Sequence, residues 1–299
     1  MSVPVSSDSS KVSINIEVHS YYQCLFLSCT ITAVLWGISA IQLFAYLTSH
    51  CRVDGWKIRC YVVIIWLLNT AHQCGLLRWG YHIFVEESGN LLALVRLNAV
   101  ELPLITILTA FVDVLVQAFY INRIWKLSKH NLFLVLIVSA ATICQFSATL
   151  YYFSKIYNLF FIDHTGMFIN ISRILYAITS FVEILLASVV VVLVHMMRNG
   201  QKRSETVLNR LILYTISSSA GNATIAIGAV ISAAVSPYVH THLLFASLAP
   251  NLYTNALLTL LNMRASVWNV FDSNSTDETE INTDFLRGQI GGQSESLNV

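Results

Sequence analysis

The sequence predicts an all-α protein, a bundle of seven transmembrane helices with its N-terminus outside and its C-terminus in the cytoplasm. Of its 299 residues, 56% are hydrophobic and 11% are charged, whereas soluble domains carry about 25% charged residues. Seven apolar runs are long enough to cross a bilayer, which takes about 20 residues in a helix. Basic residues concentrate in alternate connections between these runs, as the positive-inside rule describes for multi-pass proteins.

The predicted spans are, in chain order, Tyr21–Ser49, Cys60–Phe84, Val100–Trp125, Leu132–Phe153, Met167–Met197, Leu208–Val235 and His242–Met263. The last run is the most polar, because it holds Pro250, Asn251 and Asn255. We expect a helix of this kind to face other helices rather than lipid. Pro250 removes one backbone hydrogen bond and is expected to kink it. Six spans is the alternative count.

Orientation follows from the basic side chains between the spans. Those that follow spans 1, 3, 5 and 7 are Arg52, Lys57, Arg59, Arg123, Lys126, Lys129, Arg198, Lys202, Arg203, Arg210 and Arg264. The alternate connections and their borders carry Arg96, Lys155 and Arg173 beside several acids. The odd connections are therefore expected in the cytoplasm. We expect a plasma-membrane rather than an endomembrane location.

Three segments make up the predicted domain organisation. Residues 1–20 form a polar, Ser-rich N-terminal segment outside the cell or in the lumen, and residues 21–264 form the transmembrane domain. The apolar run that begins at Tyr21 is too long for the core of a cleavable signal peptide, so it is expected to serve as an uncleaved signal anchor. Residues 265–299 are acidic and rich in Ser and Thr, which predicts a disordered cytoplasmic tail.

A polar stripe runs along the third span. Its members are spaced three or four residues apart, which places them on one helix face: they are Thr106, Thr109, Asp113, Gln117 and Tyr120. An acid in the middle of a transmembrane helix costs about 2.5–3.5 kcal/mol on insertion scales. Asp113 is therefore expected to face a partner or a wet cavity inside the bundle.

Other spans carry similar polar or small residues, and the fourth span is expected to have no such stripe. These residues are Asn69, His72, Gln73, Glu183, Ser217, Gly221, Thr224, Gly228, Asn251, Tyr253 and Asn255. If all stripes face inward, the residues expected to line a shared ligand cavity are His72, Glu101, Asp113, Glu183 and Tyr253. For Asn69, Ser217, Thr224 and Asn255, hydrogen bonds between helices are the favoured interpretation. For Gly221 and Gly228 it is close helix packing.

Several classes of function lack a sequence signal. No cluster of nucleophile, base and acid indicates an enzyme, no phosphate-binding loop or dinucleotide-binding motif indicates a cofactor, and no basic patch indicates nucleic-acid binding. His240 and His242 lie close enough in sequence to hold a metal, but loop histidines without that role are more common, so no metal site is predicted. Cys51 and Cys60 are candidates for palmitoylation at the inner membrane surface, and Asn170 is the candidate for glycosylation.

Four phrases of the sequence carry a resemblance to a known family. They are "WLLNTAH" (66–72), "VQAFYINRIWKLS" (116–128), "RSETVLNRLILYTISSSAG" (203–221) and "LYTNALLTLLNMR" (252–264). The chain resembles a family of multi-span membrane proteins of basidiomycete fungi that is defined by a domain of unknown function, numbered six-five-three-four. The resemblance implies seven spans and no assigned activity. It also implies a structural framework that includes Tyr214, Tyr253, Asn255, Asn262 and Arg264.

The leading functional hypothesis is a receptor-like or sensory protein that binds a ligand or lipid between its helices. Besides membrane lipids, the expected partner is a cytoplasmic effector on the basic loops, at Arg123, Lys126, Arg198, Lys202 and Arg203. The alternative is a proton-coupled transporter or carrier in which Asp113 and Glu183 titrate. A membrane enzyme is not predicted.

Overall fold

The structure is a computed structural model that describes residues 6–49, 55–86, 88, 101–158, 165–198, 221, 223–232, 234 and 244–263. In these ranges it is all-helical and contains no strand. The helices are α1 (Ser6–Ser49), α2 (Trp56–Tyr81), α3 (Glu101–Leu127), α4 (Leu132–Asn158), α5 (Thr165–Arg198), α6 (Ala223–Ser232) and α7 (Leu244–Met263). Helix α2 continues into a π-helical turn over His82–Glu86.

Within the described residues, six helices are long and apolar enough to cross a membrane, namely α1 to α5 and α7. Their apolar segments match the predicted spans to within four residues at each end. Large side chains such as Ile41, Phe133 and Met196 are exposed on the outside of the bundle, where a membrane protein meets lipid. The predicted span Leu208–Val235 lies largely outside the described residues, so the count of seven spans and the orientation stay predictions.

The two ends of the chain differ in what the structure describes. Helix α1 begins at Ser6, so the described part of the predicted N-terminal segment, residues 6–20, continues the helix of the first span. A boundary at residue 20 is therefore not marked by a change of secondary structure. The predicted tail, residues 265–299, lies outside the described residues.

Neighbouring helices pack against each other in chain order from α1 to α5, and α3 also packs against α5. A short turn reverses the chain between α3 and α4, with the left-handed conformation at Lys129 (φ 53°) and His130 (φ 69°). The Asn131 side chain then caps α4, because its oxygen accepts hydrogen bonds from the backbone N–H groups of Phe133 and Leu134, at 3.1 and 3.4 Å. Such a cap satisfies donors that a helix start leaves without partners.

Two apolar clusters fill the bundle, one toward each end. The cluster nearer the α3–α4 turn includes Tyr46, Val116 and Leu258. The cluster at the opposite end includes Leu76, Trp79 and Tyr152. Between them, α3 presents its polar stripe, and the space described below opens within the second cluster.

Helix α7 is the most buried of the six membrane-length helices, although it is the least apolar of them. In its most apolar stretch 56% of the residues are buried, against 17–39% for the others. The expectation that this helix faces other helices rather than lipid is thus confirmed. The consecutive residues Leu257 and Leu258 point in different directions around α7, and both are fully buried. At this level of the bundle, α7 is therefore surrounded by protein.

We expect Leu258→Ala to lower the free energy of unfolding by about 2 kcal/mol. This is at the low end for buried leucine truncations, because lipid tails are as apolar as leucine and mainly packing is lost. The measurement is the unfolding midpoint in mixed micelles titrated with SDS. Leu67→Ala, at a side chain that is 55% exposed, is the matched control and should leave the midpoint unchanged; equal effects of the two variants would contradict the buried position of α7.

Candidate functional site

A cavity of about 120 Å³ lies between the helices. Helices α2 to α7 all contribute to its wall, which is mostly apolar. The lining residues are Leu76, Trp79, Leu102, Ile105, Thr106, Thr109, Asp113, Thr149, Tyr152, Leu175, Tyr176, Thr179, Ser180, Glu183, Ile225, Ala226, Ala229, Phe245, Ala246, Ser247, Ala249, Leu252 and Tyr253. A volume of this size is comparable to that of an engineered apolar cavity of about 150 Å³ that binds benzene.

The cavity extends from one end of the bundle to its middle. Leu102 in the first turn of α3 and Asp113 both line it, and a helix rises about 16 Å between these two positions. Asp113 is therefore near the middle of a hydrocarbon layer about 30 Å thick. The cavity occupies the half of the bundle where α3 and α5 begin, and the orientation predicted from the basic residues makes this the outer half.

Four helices meet at the floor of the cavity through one group of polar side chains, which we call the floor hub: Gln117, Gln145, Glu183 and Tyr253. Gln117 of α3 donates from its side-chain nitrogen to Gln145 Oε1 of α4 at 3.0 Å and to Glu183 Oε1 of α5 at 2.9 Å. The Tyr253 hydroxyl of α7 lies beside the Glu183 carboxylate, and both residues line the cavity. All four residues are buried.

The floor hub separates the cavity from a much smaller void. Glu183 and Tyr253 line both spaces, and Gln117 and Tyr120 line only the smaller one, which has a volume of about 10 Å³. This is close to the smallest volume that holds a water molecule. The floor of the cavity is thus a thin polar layer one or two side chains thick.

Asp113 is placed beside the floor hub without being hydrogen-bonded into it. The residue is 8% exposed, faces the cavity, and has no hydrogen-bond partner for Oδ1 among the described residues. A buried polar atom without a partner is uncommon in native structures. Asp113 therefore differs from Glu183, whose Oε1 accepts a hydrogen bond from Gln117.

The upper wall of the cavity offers apolar and aromatic surface. The hydroxyls of Thr106 and Thr109 donate to backbone carbonyls of their own helix, at 2.8 and 3.0 Å, so their donor hydrogens are used within α3. Phe245 of α7 packs closely on α6, because a Cβ atom at Gly228 would come within 2.8 Å of its ring. The expected close packing is thus confirmed at Gly228, whereas a Cβ atom at Gly221 would meet nothing within 4 Å.

The structure brings three of the five predicted cavity residues together, Asp113, Glu183 and Tyr253. The other two are placed elsewhere. Glu101 lies at the end of α3, where its carboxylate is 3.8 Å from Arg78, which also forms an ion pair with Glu86 at 2.6 Å. His72 is fully buried, and neither ring nitrogen has a partner among the described residues; it is not among the residues that line the cavity.

Gln145 is the residue of the candidate site that the sequence analysis missed. The fourth span was expected to have no polar stripe, and this expectation is wrong, because Thr142 and Gln145 are buried and Thr149 lines the cavity. The three residues are spaced three and four apart, so the same periodicity that revealed the stripe on α3 was present here.

A second polar network joins α7 to α1 and α2 and takes no part in the cavity. Asn69 donates to Asn251 at 3.0 Å, and Asn251 donates to Gln73 at 3.4 Å. Asn255 donates to the backbone carbonyls of Leu35 and Asn251 at 2.9 and 2.8 Å. The interpretation of Asn69 and Asn255 as interhelical hydrogen-bonding residues is thus confirmed, while Ser217 lies outside the described residues.

Two of the three residues predicted to carry a palmitoyl group or a glycan lie in the described part of the chain. Cys60 is exposed in the first two turns of α2, and Asn170 is exposed in the second turn of α5. Cys51 lies outside the described residues. No modification is tested by this placement, so all three stay predictions.

The remaining candidates are metal-ligating side chains and the basic residues expected to contact an effector. Among the described residues, no group of three or more His, Cys, Asp or Glu side chains is arranged to hold a metal ion; His240 and His242 lie outside that range. Of the basic residues expected to contact a partner, Lys126 is exposed in the last turn of α3, and Arg123 is partly buried one turn earlier. Arg198 ends α5, and Lys202 and Arg203 are outside the described residues.

Comparison with known proteins gives one match. The model of a family of unknown function (DUF6534) matches residues 179–266, which cover most of α5, α6 and α7. Comparisons with curated proteins and with solved structures give no match. The matched region supplies Glu183, Ala226 and Tyr253 to the cavity and includes two of the four phrases that carried the resemblance. By this match, the chain contains a domain of unknown function at residues 179–266.

Proposed function

We propose that this protein is a receptor-like membrane protein that binds a small, largely apolar ligand in the cavity that helices α2 to α7 line. The role is one of binding rather than catalysis. The predicted orientation opens the cavity toward the outside or the outer part of the bilayer. A ligand or a lipid fragment that enters from there reaches the floor hub without passing the cytoplasmic half of the bundle.

The observation that carries this proposal is the floor hub, because it joins the cavity to four helices. A ligand that contacts Glu183 or Tyr253 acts on side chains that also hold α3 and α4 through Gln117 and Gln145. A ligand shifts a conformational equilibrium by its difference in affinity for the two states. Contacts at a hydrogen-bonded junction of four helices supply such a difference whenever the helices change their packing.

The predicted cytoplasmic end of α3 is the proposed contact for an effector. Lys126 is exposed there, and it lies about 20 Å along the helix axis from Asp113. We expect Lys126→Glu to reduce crosslinking of a cytoplasmic partner in native membranes without changing ligand binding. Recovery of no partner with the unmodified protein would contradict the receptor-like role.

A receptor for external ligands belongs in the plasma membrane. A fluorescent protein fused to the C-terminus tests this location, and we expect the fluorescence at the plasma membrane.

We expect Thr109→Phe to abolish ligand binding in the cavity. A phenyl ring is the size of the benzene molecule that a cavity of about 150 Å³ accepts, so it fills most of the available space. The Thr109 hydroxyl bonds only its own helix, so its removal leaves no other helix without a partner. The probe is benzyl alcohol, measured by saturation-transfer NMR on protein in nanodiscs with empty nanodiscs subtracted, and at least a ten-fold loss of affinity is expected.

Thr30→Phe is the matched control for this substitution. Thr30 is exposed on α1 and its hydroxyl donates to the carbonyl of Phe26 on the same helix, as Thr109 does on α3. Binding of benzyl alcohol should be unchanged in this variant. Unchanged binding in Thr109→Phe as well would place the binding site outside the cavity and remove the basis of the proposal.

A proton-coupled carrier is the second candidate, favoured by the thin polar floor. Glu183 and Tyr253 face the cavity on one side and a water-sized void on the other, as a side chain that passes protons between two compartments does. The test is uptake into proteoliposomes driven by a pH gradient. Flux that depends on the protein and disappears in Asp113→Asn supports transport, and protein-independent flux contradicts it.

A further inference from the structure

We propose that the ligand of this cavity is an organic monocation, a protonated amine on a compact apolar body, which binds with its ammonium group between Asp113 and Glu183. This inference rests on the proposed function, because it assumes that the cavity binds a ligand. It adds the charge, the size and the contact residues of that ligand.

The charges around the cavity select the sign of the ligand. Its lining includes two carboxyl side chains, Asp113 and Glu183, and no Lys, Arg or His among the described residues. An anion at the floor meets two acids and no basic side chain there, in a site where low dielectric makes repulsion strong. A cation at the same place meets two potential counter-ions.

The unpartnered carboxyl of Asp113 is an independent observation that indicates a ligand. It is more than nine-tenths buried and lines the cavity, and no described residue donates a hydrogen bond to its carboxylate. Because Oδ1 is enclosed by protein, the oxygen that meets the ligand is Oδ2. An ionised carboxylate only accepts hydrogen bonds, whereas an ammonium group offers up to three donors. The donor that the described residues do not supply to Asp113 is thus supplied by the ligand.

Glu183 is suited to be the second contact because it is held in place. The side-chain nitrogen of Gln117 donates to its carboxylate at 2.9 Å, and a carboxylate has about four lone-pair positions, so acceptor capacity remains for the ligand. Placing two acids on different helices around one ammonium group resembles the pairing that buried charges require. Asp113 on α3 and Glu183 on α5 are then bridged by the ligand.

The remaining wall fits the apolar body of such an amine. Trp79, Tyr152, Tyr176 and Phe245 line the cavity, and aromatic faces attract cations as well as apolar groups. The volume of about 120 Å³ limits the enclosed part of the ligand to about the size of one six-membered ring. The ligand class is therefore a small cyclic or branched amine, or the end of a longer molecule with that group.

Three probes of equal size and different charge test the inference: benzylamine (cation), benzyl alcohol (neutral) and benzoate (anion). Binding is measured by saturation-transfer NMR on the full chain in nanodiscs of zwitterionic lipid, with empty nanodiscs subtracted. We expect benzylamine to bind at least ten-fold more tightly than benzyl alcohol, and benzoate to bind most weakly. Asp113→Asn should lower the ratio of benzylamine to benzyl alcohol affinity several-fold without abolishing it, because Glu183 still offers one carboxylate. Benzyl alcohol binding should persist, which shows that the variant is folded.

Glu101→Gln is the matched control for the removal of an acid. Glu101 lies on the same helix as Asp113 but pairs with Arg78 at the helix end, so the ratio should stay at its unmodified value. A ratio that falls equally in Glu101→Gln overturns the inference, because it indicates general attraction of cations. Equal affinities for the amine and the alcohol in the unmodified protein overturn it and leave the proposed function standing. No binding of any probe contradicts both.

Discussion

Replacing Asn251 by leucine is expected to lower the free energy of unfolding by about 3 kcal/mol. The Asn251 side chain accepts a hydrogen bond from Asn69 and donates one to Gln73, so leucine leaves a donor and an acceptor on α2 without partners. Each unsatisfied buried group costs about 1–3 kcal/mol, and membrane helices recover part of that by finding other partners. The loss falls on the contact between α2 and the most buried helix, α7.

The measurement for this variant is again the SDS midpoint, converted to a free energy with a refolding control. Asn122→Leu is the matched substitution, at an exposed asparagine of α3, and should change stability by less than about 0.5 kcal/mol. A wild-type midpoint in Asn251→Leu would indicate that the network between α1, α2 and α7 does not hold the bundle together.

Most of the fold was predictable because lipid imposes a simple requirement on the sequence. A helix must present about 20 apolar residues to cross the hydrocarbon layer, and the ends of that run are marked by polar residues. The fifth span, predicted as Met167–Met197, is contained in α5, which runs over Thr165–Arg198. The extension of α1 to Ser6 was not predictable in this way, because a polar helix outside lipid carries no such signal.

The composition of the candidate site was predictable only in part. Periodicity placed Asp113 on the inner face of its helix, because polar residues three and four apart in an apolar run must avoid lipid. It does not fix the depth and rotation of one helix against another, on which each contact depends. Glu101 and Asp113 were therefore predicted in one cavity, although the structure pairs Glu101 with Arg78 at the helix end.

Gln145 illustrates the same limit from the other side. This glutamine of α4 carries no charge, and its polar neighbours on the same helix face are only Thr142 and Thr149, yet Gln117 donates to it at 3.0 Å beneath the cavity. Its role becomes evident only when α3 and α4 are placed side by side, with Glu183 of α5 bonded to the same nitrogen. A floor hub of this kind is a property of helix packing and not of any one span.

Replacing Gln117 by methionine is expected to remove the floor hub while keeping side-chain volume nearly constant. Gln145 and Glu183 each lose the hydrogen-bond donor that Gln117 supplies. The expected loss of stability is about 3 kcal/mol, because two buried acceptors are left with fewer partners and a carboxylate costs more than a neutral group. The unfolding midpoint in SDS measures it.

Gln23→Met is the control for this variant, at an exposed position of α1, and is expected to be neutral within about 0.5 kcal/mol. The two variants also separate the two roles of the floor hub. If Gln117→Met loses stability but still binds benzyl alcohol, the floor hub stabilises the packing of the four helices, and the apolar wall alone forms the binding cavity. Ligand binding and effector binding can then be compared in the Gln117→Met variant. If Gln117→Met keeps the wild-type midpoint, the hydrogen bonds of Gln117 do not couple the helices, and the physical basis for transmitting ligand binding through the bundle is lost.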